Sequence, residues 1–196
     1  MQKRTGQYRL LLLLASVLFL LAACGGGGDG GNSEPINYVT YESPEKGITF
    51  EYPEGWATNE VPGGEITIAS DPALLDDSNE YEGGAIVTVF AGPADAFEGE
   101  LTTILDDLVL FLMEDDADQV EIVNEVASTT INGHDAASVT LSGREAFTDV
   151  LLKANVMAGA DQIVFVAAMY DDESADKYEP IMDHILNSVE LSAPSE

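Results

Sequence analysis

Basic charge is scarce in this chain of 196 residues: seven Lys+Arg stand against 36 Asp+Glu, for a formal net charge of −29. Three of the seven, Lys3, Arg4 and Arg9, precede Cys24, and no acid does, so the part from Cys24 onward carries 4 − 36 = −32. No basic patch is left to meet phosphates, which excludes nucleic acid as a partner. The same balance excludes electrostatic docking on anionic lipid. A second shortage is cysteine. The single Cys24 rules out an intramolecular disulfide, so a folded domain must stand on its core. Hydrophobic residues at 45% and aromatics at 8% supply one, and the length suggests one domain plus something short. Internal repeats are also missing.

The reactive vocabulary is thin. His134 and His184 are the only histidines, each beside an aspartate, and they read as turn and surface residues. A zinc site wants three or four N/S ligands. Ser142-Gly143 has no Gly-x-Ser-x-Gly elbow around it, and neither Gly25–Gly28 nor Gly83-Gly84 carries the Lys and Ser/Thr of a phosphate loop. The expectation is a chain that is not an enzyme.

What is present begins with a leader. Residues 1–9 hold the three basic groups, and Leu10 to Ala23 is apolar except for Ser16. This is the n-region and h-region of a secretory signal, too short to span a bilayer comfortably. It ends Leu21-Ala22-Ala23-Cys24, followed by Gly25 to Gly28. The segment resembles the bacterial lipoprotein lipobox. The resemblance implies cleavage before Cys24, diacylglycerol on its sulfur and an acyl chain such as palmitate on the new amino terminus. One chain holds a protein marginally, at about 0.8 kcal/mol per buried methylene, whereas two or three hold it for good. Residues 24–37 read as a Gly-rich tether spanning roughly 20 Å root-mean-square. The expected location is the cell membrane, facing outside the cytoplasm.

Residues 38–191 read as one acidic α+β domain, and 192–196 as a tail. Ile48 to Tyr52, Glu65 to Ala69 and Ala85 to Ala91 alternate or cluster as strands. From Glu100 to Glu114 the period changes: Leu101, Ile104, Leu105, Leu108, Phe111 and Leu112 share one helical face. Asp115, Asp116 and Asp118 oppose the macrodipole, which predicts a stop near Met113. Asn132-Gly133 between strands at 120–131 and 136–141 predicts a type I′ hairpin. Strands at 147–157 and 162–170 follow, the latter the most apolar and therefore central. A last helix runs from about Ser174 to Ser188, with Pro180 as a kink after its first turn. Trp56 reads as a core residue. The order predicts one twisted antiparallel sheet of six or seven strands with two helices packed on it.

Some of the wording resembles a known group. Gly47-Ile48-Thr49-Phe50-Glu51-Tyr52-Pro53 with Gly55-Trp56 resembles the opening strand, Ile131-Asn132-Gly133-His134-Asp135-Ala136 the central hairpin, and Ile185-Leu186-Asn187-Ser188-Val189 the closing helix. These are shared by the PsbP extrinsic subunit of photosystem II, the DcrB-like lipoproteins and a small Ran-binding nuclear import factor. The resemblance implies a PsbP-like fold and an accessory or docking role for an envelope protein partner, with no functional residue carried over.

The alternative is a cation or small-ligand binder. Asp71, Asp76, Asp77, Glu80 and Glu82 share one loop. Calcium takes six to eight oxygens, although none of the acid runs has EF-hand spacing. Glu114 to Asp118 and Asp171 to Asp176 are two further acid-rich stretches, and generic surface solvation explains such clusters as well. No other cofactor is expected.

Overall fold

A computed structural model of the chain describes residues 35–61, 64–76, 81–116, 120–145 and 148–192. Among them β1 (Tyr38–Ser43), β2 (Ile48–Pro53), β3 (Ala57–Glu60), β4 (Glu65–Ala69) and β5 (Ala85–Pro93) precede α1 (Leu101–Asp116). Then come β6 (Glu121–Ile131), β7 (His134–Glu145), β8 (Thr148–Ala158), β9 (Gln162–Asp171), α2 (Ala175–Ser188) and the short β10 (Glu190–Leu191). The main sheet has seven strands in the order β3-β4-β5-β9-β8-β7-β6, with every pair antiparallel. The α+β class, the seven-stranded sheet and the two helices agree with the sequence reading. A second sheet, β1-β2-β10, is an addition to it, and the Ile48–Tyr52 strand belongs there. Pro53 and Gly55, with φ +90°, turn the chain out of β2 before it enters the main sheet at β3.

β9 is the central strand, and its period of two gives the domain two cores. Val164, Val166, Ala168 and Tyr170 face one side, with Ile181, Met182 and Ile185 of α2 and Ile48 and Phe50 of β2. Ile163, Phe165 and Ala167 face the other, with Leu105 and Val109 of α1. Trp56 packs against the first core, partly buried and edge-on to Tyr178 at 6.3 Å.

The inner face of α1 differs from the expected one at a single residue. Phe111 is 60% exposed, and Val109, at 4%, is buried in its stead. At 100° per residue, Phe111 lies about 120° around the helix from Leu105, off the stripe. The helix also runs past Met113 to Asp116. An acid at a helix C-terminus typically costs only about 0.3–1 kcal/mol, too little to stop propagation.

Asn132 and Gly133, with φ of 49° and 84°, make the type I′ turn joining Ile131 to His134. His134 is therefore the first residue of β7. β7 continues through Ser142 and Gly143, which were expected to end it. Pro180 lies inside α2, where its ring leaves the Asp176 carbonyl without an intrahelical donor.

Candidate functional site

An open groove of about 660 Å³ runs between α2, the small sheet and the tip of the β6–β7 hairpin. Alternation along β2 builds one wall: Phe50 enters the core, so Glu51 points out. Helical spacing builds the other, since Pro180, Asp183, His184, Asn187 and Ser188 form one stripe beside the buried Ile181, Met182 and Ile185. Asn132 and Glu190 close the end.

The polar groups of the groove are engaged with one another. His184 Nε2 sits 2.8 Å from Glu51 Oε2, and its ring lies on Tyr38 with centroids 3.8 Å apart. Burial, and after it the Glu51 charge, pushes the Tyr38 phenol above its ordinary value, so it stays neutral. Ser188 Oγ accepts from the Glu51 N–H at 2.9 Å and donates to the Ile185 carbonyl at 2.8 Å. Asn132 Nδ2 donates to the carbonyls of Asn187, at 2.9 Å, and Val189, at 2.8 Å, just where the helix ends. Those carbonyls have no intrahelical donor, so Asn132 supplies the missing partner. Beside the groove Lys153 bridges Asp183 at 2.7 Å and Glu179 at 2.9 Å. Burial disfavours its ammonium, but these hydrogen bonds outweigh that and hold it above the usual lysine value.

Nucleophilic catalysis needs a hydroxyl whose proton faces a base. Here the Ser188 proton faces a backbone carbonyl, and His184 faces a carboxylate. The arrangement clamps α2 to the small sheet and hairpin. The sequence reading had His184 as a surface residue beside Asp183 and missed its partner Glu51, which lies 133 positions away.

The acid-rich loops have local work. Asp71 Oδ1 accepts from Ala73 N–H at 2.8 Å and caps the 3₁₀ turn Pro72–Leu75, which Asp76 closes. Glu82 stands just before Gly83-Gly84, while Asp77 and Glu80 lie outside the described residues, as do Cys24, the leader and most of the tether. Asp171 is buried and accepts from Gly84 N–H at 2.9 Å and Ser174 N–H at 2.8 Å. Burial raises its carboxyl, but those hydrogen bonds together hold it below its ordinary value. Gly84 has φ +111°, and a Cβ there would meet Leu74 at 2.9 Å and Ser70 at 3.0 Å, which keeps this junction tight. Among the described residues no three His, Cys, Asp or Glu groups stand close enough to hold a metal ion.

Solved structures share the architecture. The solution structure of cyanobacterial PsbP (CyanoP) from Synechocystis aligns with a TM-score of 0.56 and 15% identity, covering 86% of this chain and 99% of that one. The fold is PsbP-like. LpqN, involved in cell envelope biogenesis of Mycobacterium tuberculosis, aligns with a TM-score of 0.53 and 12% identity, covering 81% of this chain and 92% of that one. No family model matches the sequence, and no curated protein matches it. At these identities the PsbP-like likeness concerns fold alone. No helix among the described residues is long and apolar enough to cross a membrane.

Proposed function

We propose that this chain is a non-enzymatic accessory lipoprotein of the cell envelope, held by lipid on Cys24 outside the cytoplasm, whose domain docks a protein partner. The observation that carries the reading is the use of the groove's reactive groups. His184, Ser188 and Asn132 each tie α2 to a neighbouring element, which makes a stiff frame for presenting a surface. The leader supports the anchor, and the envelope role stated for LpqN, a chain of the same fold, favours the location. Two experiments test it. Cys24→Ser removes incorporation of a palmitate label and releases the protein from the membrane fraction. The tagged full chain, drawn from detergent-solubilised membranes, brings one envelope protein in constant ratio; recovery of the bait alone overturns the docking role.

A second reading, calcium or a small ligand, has only the open groove behind it: Glu51, Asp183 and Glu190 share the lining but do not converge, so a calcium ion would have to draw them together. Calcium would then raise the melting temperature more than sodium at matched ionic strength, because a ligand that prefers the native state stabilises it. Equal rises mean charge screening and end this reading.

A further inference from the structure

Exposed large apolar side chains are concentrated on two elements that pack against each other. Among the described residues seven large apolar side chains are exposed, and four of them, Leu110, Phe111, Ile122 and Val123, belong to the corner where α1 packs along the edge strand β6. Each pair has a local cause. Leu108 to Met113 is an unbroken apolar run, so a helix that buries one stripe must leave others in solvent. In β6 the pairing with β7 shifts register between Ile122 and Asn124, so Val123 is an extra, unpaired residue. That bulge breaks the alternation and turns two successive apolar side chains outward. A second shift follows between Asn124 and Ala127. Bulges on an edge discourage another strand from pairing there. The corner therefore offers side chains, not a template for sheet extension.

Its rim is acidic. Asp106 and Asp107 on α1 and Glu121 and Glu125 on β6 are exposed, and from Gly47 to Gly143 the sequence contains no Lys or Arg. A second copy would set these acids against themselves, and an anionic bilayer would do the same. A segment that is apolar and basic complements both features. We infer that the α1–β6 corner docks a basic amphipathic segment of an envelope protein, its apolar side chains on Leu110, Phe111 and Val123 and its Lys and Arg over the acidic rim. This rests on the docking function proposed above.

Site-specific photo-crosslinking of the full chain in its own cells tests it. p-Benzoyl-phenylalanine replaces Phe111 or Val123 at the corner, Glu190 in the groove, or Thr58 on the opposite sheet edge. The corner positions should give the adducts, and the peptide captured should carry more Lys and Arg than Asp and Glu. Reversing the rim with Asp107→Lys and Glu121→Lys should reduce the Val123 adduct about tenfold, as loss of charge complementarity slows encounter. An unchanged melting profile of that variant shows that the fold is intact. Adducts with a second copy, with lipid or with an acidic segment overturn the assignment. Protein adducts from Thr58 or Glu190 alone overturn the corner but leave the docking function standing. No protein adduct from any position overturns both.

Discussion

The two helices bury similar apolar stripes on opposite faces of the same central strand, yet they are held differently. α2 is tied at both ends and along its length. Asp171 receives the Ser174 N–H before it starts, and Asn132 serves its last carbonyls. Lys153, Glu51 and the β2 backbone hold its polar stripe. Among the described residues 101–113 of α1 no side-chain hydrogen bond or ion pair reaches another element, and the helix meets β6, β7 and β8 through apolar contact. Apolar area keeps a helix on a sheet but is not directional. Hydrogen bonds fix where along the sheet it sits. The frame of the domain is thus on the α2 side, and the adaptable surface is on the α1 side.

Core truncation should produce the largest effects. Ile185 and Leu105 are both fully buried. Ile185→Ala and Leu105→Ala should each lower unfolding free energy by about 3 kcal/mol in urea titrations. The comparison sharpens in hydrogen exchange: Leu105→Ala should speed exchange in α1 alone, because a region without polar ties opens locally. Uniform acceleration across the sheet would break the distinction. Next in size is Asn132→Ala, at about 2 kcal/mol, since it deletes two bonds to helix-end carbonyls and puts alanine at a positive φ. Asn132→Gly keeps the turn and loses only the bonds, so about 1 kcal/mol should go. Equal losses would mean that the turn, and not the tie to α2, is what matters.

Asp171→Ala should cost about 1–2 kcal/mol at neutral pH, through the two N–H groups it leaves unpaired. The carboxyl is held below its ordinary 3.8 by hydrogen bonds from Ser174 and Gly84 that overcome burial. A depressed carboxyl stabilises the fold above its unfolded value, and that contribution is lost as pH falls through the folded value. The urea midpoints of parent and variant should therefore converge as pH drops below 3.8. A gap that persists in acid would show that Asp171 acts by packing alone.

Much of this frame was legible in the sequence because its signals are local. Asn132-Gly133 demands a positive-φ turn, and the apolar run from Gln162 to Tyr170 demands a strand covered on both faces. β3 and β10 gave no such signal: Ala57–Glu60 is exposed at three of its four residues, and Glu190–Leu191 is two residues long. The phase of α1 was misread at Phe111 because Leu108 to Met113 is apolar on every side. Only the sheet decides which side is inner. The groove was beyond sequence reasoning for a different reason. Glu51 meets His184 across 133 positions, and no local pattern marks either as the other's partner. Asp171 carried a readable cap signature, an acid three residues before Ser174, whose N–H it accepts, but its acidic neighbours made it read as part of a charge cluster.

The smallest expected effect is the most discriminating. Phe111→Ser removes the largest exposed side chain of α1, and exposed substitutions generally stay within about 0.5 kcal/mol. Serine and phenylalanine also have similar helix propensity, so the backbone term is near zero. Urea midpoints should therefore coincide with the parent's, against the loss of about 3 kcal/mol at Leu105, six residues earlier on the same helix. If Phe111→Ser instead lost more than about 1 kcal/mol, Phe111 would be contributing as a core residue does. The stripe read from sequence would then be right, Val109 would be the outward residue, and the α1 side would have no apolar surface to spare for a partner.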